Sequence, residues 1–247
     1  MSVYRVKAEP GVEPHKWKIE KFAEISGDEK FVRHVTELST ILSATLIEGQ
    51  QRDDVKTAIM TVLSDGLMPA FAELEKIRAS DGKPMPIMDQ RELYHDFYRK
   101  LWKAYKDLTQ RAADAAGFKI GFLFKVDKDF AKGLKEFQTN YPGVRSELGK
   151  GLAEIRDQWQ NEFAKFRNTF LEHQDSDQKQ FAKFYQLPYA ESLFDTVWNT
   201  IVDLIALLFE SKLPYGTKLA LPDLKKNSKW PNRYVFDVPA LRNFEHP

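Results

Sequence analysis

Arg167, Asn168 and His173 are the residues whose types and spacing have most chemistry to offer. Near neutral pH an imidazole takes a proton from a nucleophile and returns one to a leaving group. A guanidinium grips a phosphate through paired donors and offsets the charge that builds up on it in the transition state. A carboxamide such as that of Asn168 bonds a phosphate oxygen or orients its neighbour. Six positions separate Arg167 from His173, which is about 120° of helix at 3.6 residues per turn. That places them on opposite shoulders of the stripe Phe163, Phe166 and Phe170, beside a helix–helix contact. One arginine and one histidine make no site alone, but a two-fold contact between copies gathers two of each in one cleft. RNA carries its own nucleophile, the 2′-hydroxyl beside the scissile phosphate. These groups therefore fit RNA cleavage, with no metal or other cofactor.

A second candidate lies near the C-terminus. Lys212, Lys218, Lys225, Lys226, Lys229 and Arg233 face Asp223 alone, with Tyr215 and Trp230 between them. Basic residues interleaved with aromatics suit single-stranded RNA, through phosphate contacts and base stacking. Lys225, Lys226, Lys229, Trp230 and Arg233 are the substrate-binding candidates. The plainer alternative is a solvated tail. Elsewhere Glu154, Asp157 and Glu162 read as an exposed face paired with Arg156 and Lys165, and no histidine joins them at metal-ligand spacing. His95, between Tyr94 and Asp96, reads as a packed or hydrogen-bonded structural histidine. There is no dinucleotide fingerprint, phosphate-binding P-loop or nucleophile elbow.

Composition narrows the function classes. The chain has 247 residues, 43% hydrophobic and 30% charged, with 37 Lys plus Arg against 36 Asp plus Glu. That excludes a disordered polyelectrolyte. It also argues against coating nucleic acid by global charge, so any such contact is local. With no cysteine, disulfides, thiolate metal sites and cysteine nucleophiles are excluded, as suits a cytoplasmic location. Residues 1–21 have no apolar core of a secretory signal. The most apolar stretch, Leu193 to Phe209, carries Asp195, Asn199 and Asp203. It is short of the roughly 20 residues a membrane span needs and reads as a buried helix.

Helical periodicity supplies the elements that must position these groups. Glu29 to Glu48 carries one stripe, and Asp53–Asp54 open a second run that includes Leu67, Phe71, Leu74 and Ile77, with Pro69 as a kink or break. Ala79 to Pro86 is a loop, Asp89 caps a helix running to about Ala116, and Gly117 stops it. Phe118 to Val126 is a strand or a buried connector. Asp127 to Asn140 is a short helix ended by Tyr141-Pro142-Gly143. A long helix from Ser146 to about His173 carries Leu148, Leu152, Ile155, Trp159, Phe163, Phe166 and Phe170. A polar turn at Gln174 to Gln178, a short helix through Phe181 and Phe184, and an apolar helix from about Ala190 to Ser211 complete the set. Val3 to Lys7 and Arg233 to Val238 have strand-like content, and pair with each other or lie as arms. The expectation is an all-α bundle of six or seven helices over residues 28–211, with an N-terminal arm at 1–27 and a basic C-terminal arm at 212–247.

The run Arg167-Asn168, four residues, then His173 resembles the Arg-polar-x(4–6)-His signature of the HEPN superfamily. These are helical-bundle, often dimeric proteins that include many metal-independent endoribonucleases. The likeness covers the motif and its helical context, about residues 146–211. It implies RNA cleavage or nucleic-acid defence of a toxin or phage-defence kind, with Arg167 and His173 as the working pair and Asn168 as the polar adjunct. It also implies a homodimer, with an inhibitory protein partner as a further expectation and no membrane. The alternative is a non-catalytic helical protein–protein interaction module with an exposed apolar groove.

Overall fold

A computed structural model describes residues 2–7, 18–24, 66–125, 127–140, 146–172, 181–209, 218–220 and 235–237. The chain divides into two compact units, one of Met1–Glu48 with Phe209–Pro247 and the other Gly49–Leu208. The first holds two short antiparallel ribbons. β1 (Ser2–Lys7) pairs with β2 (Lys18–Glu24), with a register irregularity between Val3 and Tyr4. Val235–Asp237 pairs with Lys218–Ala220. Each strand-like terminus thus finds its partner within its own end of the chain.

The second unit is all-α. It contains α1 (Met68–Ser80), α2 (Ile87–Ala116), a 3-10 turn (Gly121–Phe124) and α3 (Asp127–Asn140). A long helix, α4, follows over 146–172. It is built from α-helical Ser146–Ile155 and Asn161–Phe166, each followed by a π turn, Arg156–Gln160 and Arg167–Glu172. A second 3-10 turn (Ala182–Tyr185) leads into α5 (Leu187–Phe209). No helix among the described residues is long and apolar enough to cross a membrane. The helix expected over Glu29–Glu48, the Asp53–Asp54 start and the turns at 141–143 and 174–178 lie outside the described residues.

Local chemistry accounts for the boundaries. Pro69 sits in the first turn of α1, where its missing N–H costs nothing. Pro86, not Asp89, is the residue at the start of α2; Asp89 lies in the first turn, where its charge complements the helix dipole. Gly117 ends α2 at φ +88°, the left-handed conformation that favours glycine, and Phe118 N–H closes onto Ala113 O at 2.8 Å. The connector after it is a 3-10 turn with Leu123 fully buried. The alternation of Phe118, Ile120, Phe122 and Phe124 therefore reflects buried packing and not a strand.

The core is aromatic. Tyr94, Phe97, Tyr98, Leu101, Trp102, Tyr105 and Leu108 of α2 are buried, and so are Trp159, Phe163 and Phe166 of α4. Phe166 lies parallel to Phe184 with ring centroids 4.0 Å apart and meets Tyr98 edge-on at 5.2 Å. The buried Tyr98 hydroxyl donates to Phe184 O at 2.8 Å, which ties the second 3-10 turn to α2. Phe194 of α5 packs on Phe71 of α1 and Phe97 of α2. Arg78 of α1 bonds Glu191 of α5 at 2.6 Å.

Arg156 is a correction to the sequence reading. It is buried and pairs with Asp127 Oδ1 at 2.6 Å, not with its helix neighbours Glu154, Asp157 or Glu162. Arg156 and Gln160 flank the first π turn. Both donate to Leu123 O, at 3.2 and 2.6 Å, and the Arg156 guanidinium stacks on Phe130 at 4.5 Å. The Tyr105 hydroxyl completes the network by donating to Gln160 Oε1 at 3.2 Å. Arg156 satisfies a backbone carbonyl that the 3-10 turn leaves without a helical partner, and its stem covers apolar surface. Glu162 instead meets Lys183 at 2.6 Å.

Two stability predictions follow from this packing. A Cβ on Gly133 of α3 would overlap Phe122 Cβ and lie 2.6 Å from Phe122 Cγ, on a ring held between Phe130 and Phe137. Gly133→Ala is expected to destabilise the protein by about 1–3 kcal/mol, as overpacking does, seen as a lower urea midpoint. The second concerns Glu73, a buried carboxylate bonded by Lys100 and by Lys76. Burial alone would raise its pKa, but the bonds and charges of Lys100 and Lys76 outweigh it and hold the pKa below the ordinary 4.5. A lowered carboxylate pKa contributes stability above the unfolded value, lost as pH falls through the folded value. Lys100→Met keeps the burial and removes one cation, so acid unfolding followed by circular dichroism should begin at higher pH than in the wild type.

Candidate functional site

Arg167 opens the second π turn of α4. Its side chain is half-buried and its guanidinium lies over the Trp102 ring, 5.1 Å from the centroid. Trp102 is held edge-on against Phe163 at 5.1 Å and Phe124 at 6.2 Å, so the platform under Arg167 is rigid. Arg167 Nε and Nη2 both donate to Asn168 Oδ1, at 3.2 and 2.9 Å. That is the side edge of the guanidinium, the two-donor edge with which arginine grips a phosphate. Asn168 itself is exposed.

The structure therefore brings Arg167 and Asn168 together. His173 and the basic-segment residues Lys225, Lys226, Lys229, Trp230 and Arg233 lie outside the described residues. Across Arg167–Glu172 the backbone makes a π turn, whose i→i+5 bonding is wider than the 3.6-residue wheel used to place Arg167 opposite His173. π turns recur at functional sites in helices, and this one begins on the arginine of the motif.

A second constellation lies along the same helix pair, and sequence reasoning did not assemble it. His95 Nε2 is 2.8 Å from the Tyr185 hydroxyl, and both residues are half-buried. The Phe166 ring meets His95 edge-on at 6.3 Å and Tyr185 at 6.0 Å. The Arg91 guanidinium lies 5.9 Å from the Tyr185 ring centre. Burial first, and then the positive charges of Arg99 and Arg91, lower the His95 pKa below 6.5, against a smaller raising effect from Asp96. Burial raises the Tyr185 pKa, against a smaller lowering effect from Arg91. His95 is thus neutral at pH 7 in a cationic neighbourhood. The sequence signal was the spacing Arg91, His95 and Arg99, which at steps of four shares one helical shoulder. Tyr185, 90 positions away, could not be placed by spacing.

Among the described residues, no group of three or more His, Asp or Glu could hold a metal ion. Comparison with known proteins finds no matching family model, no curated relative and no similar solved structure.

Proposed function

We propose that the chain is a HEPN-like, metal-independent endoribonuclease that works as a pair of copies, with Arg167, Asn168 and His173 in the site. One observation carries the reading: the Nε–Nη2 edge of Arg167 is preset by Trp102 below it and Asn168 Oδ1 beside it. A phosphate arriving at that edge takes both donors over from Asn168, so little side-chain ordering remains for binding to supply. In the proposed reaction His173 accepts the 2′-hydroxyl proton and the 2′-oxygen attacks the adjacent phosphorus. The P–O5′ bond breaks, the departing 5′-oxygen takes a proton from an imidazolium, and a 2′,3′-cyclic phosphate is left. Arg167 offsets the charge on the non-bridging oxygens in the transition state. Lys225, Lys226, Lys229 and Arg233 would hold the strand by its phosphates, and Trp230 would stack on a base. The test is incubation of the full chain with single-stranded RNA in excess EDTA. The expected result is fragments ending in cyclic phosphate; intact RNA would contradict the reading.

A second reading, a non-catalytic interaction module, is favoured by the apolar surface at the start of α2. Ile87 is 69% exposed and Met88 73%, with Met85 beside them at 36%. Such adjacent apolar side chains are characteristic of contact surfaces. Under this reading RNA survives in EDTA, and Ile87→Ser with Met88→Ser alters self-association in sedimentation.

A further inference from the structure

We infer that His95, Tyr185 and Arg91 form a phosphoryl-binding site on the shoulder of α2, distinct from the Arg167 edge. Three elements meet there: α2 supplies Arg91, His95 and Arg99, the second 3-10 turn supplies Tyr185, and α4 supplies the Phe166 ring behind them. The imidazole and the phenol are fixed by their mutual 2.8 Å bond and by the ring edges packed on them. The hydroxyl and a ring nitrogen are therefore presented together, with a guanidinium alongside at the Tyr185 ring. Donors of this kind converge on tetrahedral oxyanions, since a guanidinium offers two parallel N–H bonds and a phenol and an imidazolium add one each.

Electrostatics favours an anion over a cation or a neutral ligand. The titratable and charged groups that face His95 are Arg91, Arg99 and Asp96 on its own helix and Tyr185 from the 3-10 turn. Asp96 is bonded to Arg99 at 3.2 Å, so Arg91 supplies the net positive charge. The buried imidazole is kept neutral by burial and by the two arginines. A bound dianion opposes both arginine effects, raises the affinity of His95 for a proton, and is bound with proton uptake. By linkage, binding strengthens as pH falls through the histidine range.

The phosphoryl group could come from free phosphate or from a nucleic-acid strand. His95 and Trp102 lie two turns apart on α2, about 10.5 Å along the axis at 1.5 Å per residue. One strand could therefore engage both this site and the Arg167 edge. That strand arm rests on the endoribonuclease reading; the site itself does not.

The experiment is calorimetric titration with inorganic phosphate at pH 6 and pH 8, with the His95 ring followed by NMR. It is then repeated with a single-stranded oligoribonucleotide carrying 2′-deoxy sugars throughout, so that cleavage plays no part. The expected result is saturable phosphate binding, tighter at pH 6, with an upward shift of the His95 titration. Arg91→Gln should weaken it about tenfold and Tyr185→Phe by a few-fold, consistent with loss of charge-assisted and neutral hydrogen bonds. Both variants should retain wild-type circular dichroism. If the oligonucleotide binds and Arg91→Gln weakens it equally, the strand is a source of the phosphoryl group. If it does not, the site takes free phosphate. Phosphate that leaves the His95 titration unmoved, or variants that bind it like the wild type, would overturn the inference whether or not the chain cleaves RNA.

Discussion

His173→Ala is expected to lower RNA cleavage by about 10²–10⁴-fold, the usual contribution of a positioned general acid–base, while leaving the thermal midpoint within about 1 °C. The small stability effect follows from the place of Arg167–Glu172 at the end of α4, beyond the buried stripe of Trp159, Phe163 and Phe166. Arg167→Lys should fall short of that loss yet remain severe. Lysine keeps the charge but loses the two-donor edge now bonded to Asn168 Oδ1 and the flat stack on Trp102. Cleavage rates of the purified variants in EDTA check both statements. A His173→Ala protein that cuts at the wild-type rate would remove the imidazole from the mechanism.

Phe166→Ala is expected to cost about 4 kcal/mol, within the range measured for buried Phe→Ala changes. For a chain of this size that is roughly 8–16 °C in thermal midpoint. The side chain is fully buried. Its ring is stacked on Phe184 at 4.0 Å and touches Tyr98, Phe181, His95 and Tyr185. Removing it leaves a cavity where α2, α4 and the second 3-10 turn meet, and none of these can close over it without losing the Tyr98–Phe184 bond. Because Phe166 backs His95 and precedes Arg167, the same change should loosen both candidate sites. Phe166→Leu, which keeps most of the volume, should recover the greater part of the stability. Differential scanning calorimetry of the two variants distinguishes packing loss from a local effect.

The helical architecture was legible because the apolar residues repeat at helical steps. Phe97, Leu101, Tyr105 and Leu108 mark α2, and Trp159, Phe163 and Phe166 mark α4; all are buried. Gly117 was legible as a stop because only a residue at ease with positive φ serves there. What periodicity could not reach were contacts set by tertiary packing. Arg156 reads as one charge among several on an exposed face, yet a π turn carries it inward to Leu123 O and Asp127. The pairing of His95 with Tyr185 depends on how the second 3-10 turn docks on α2. Asp89 was misplaced because capping preference is a local tendency, and the loop geometry at Pro86 starts α2 three residues earlier. Of the candidate site, the neighbours Arg167 and Asn168 were legible as a pair, while Trp102 beneath them was visible only as a core aromatic.

The most direct measurement compares an RNA oligonucleotide with the same strand carrying a single 2′-deoxy sugar at its cleavage position, each incubated with the wild-type chain in EDTA. A 2′-hydroxyl nucleophile requires that the RNA be cut and that the substituted strand survive at that position. Equal cutting of both strands, or of neither, would contradict the account.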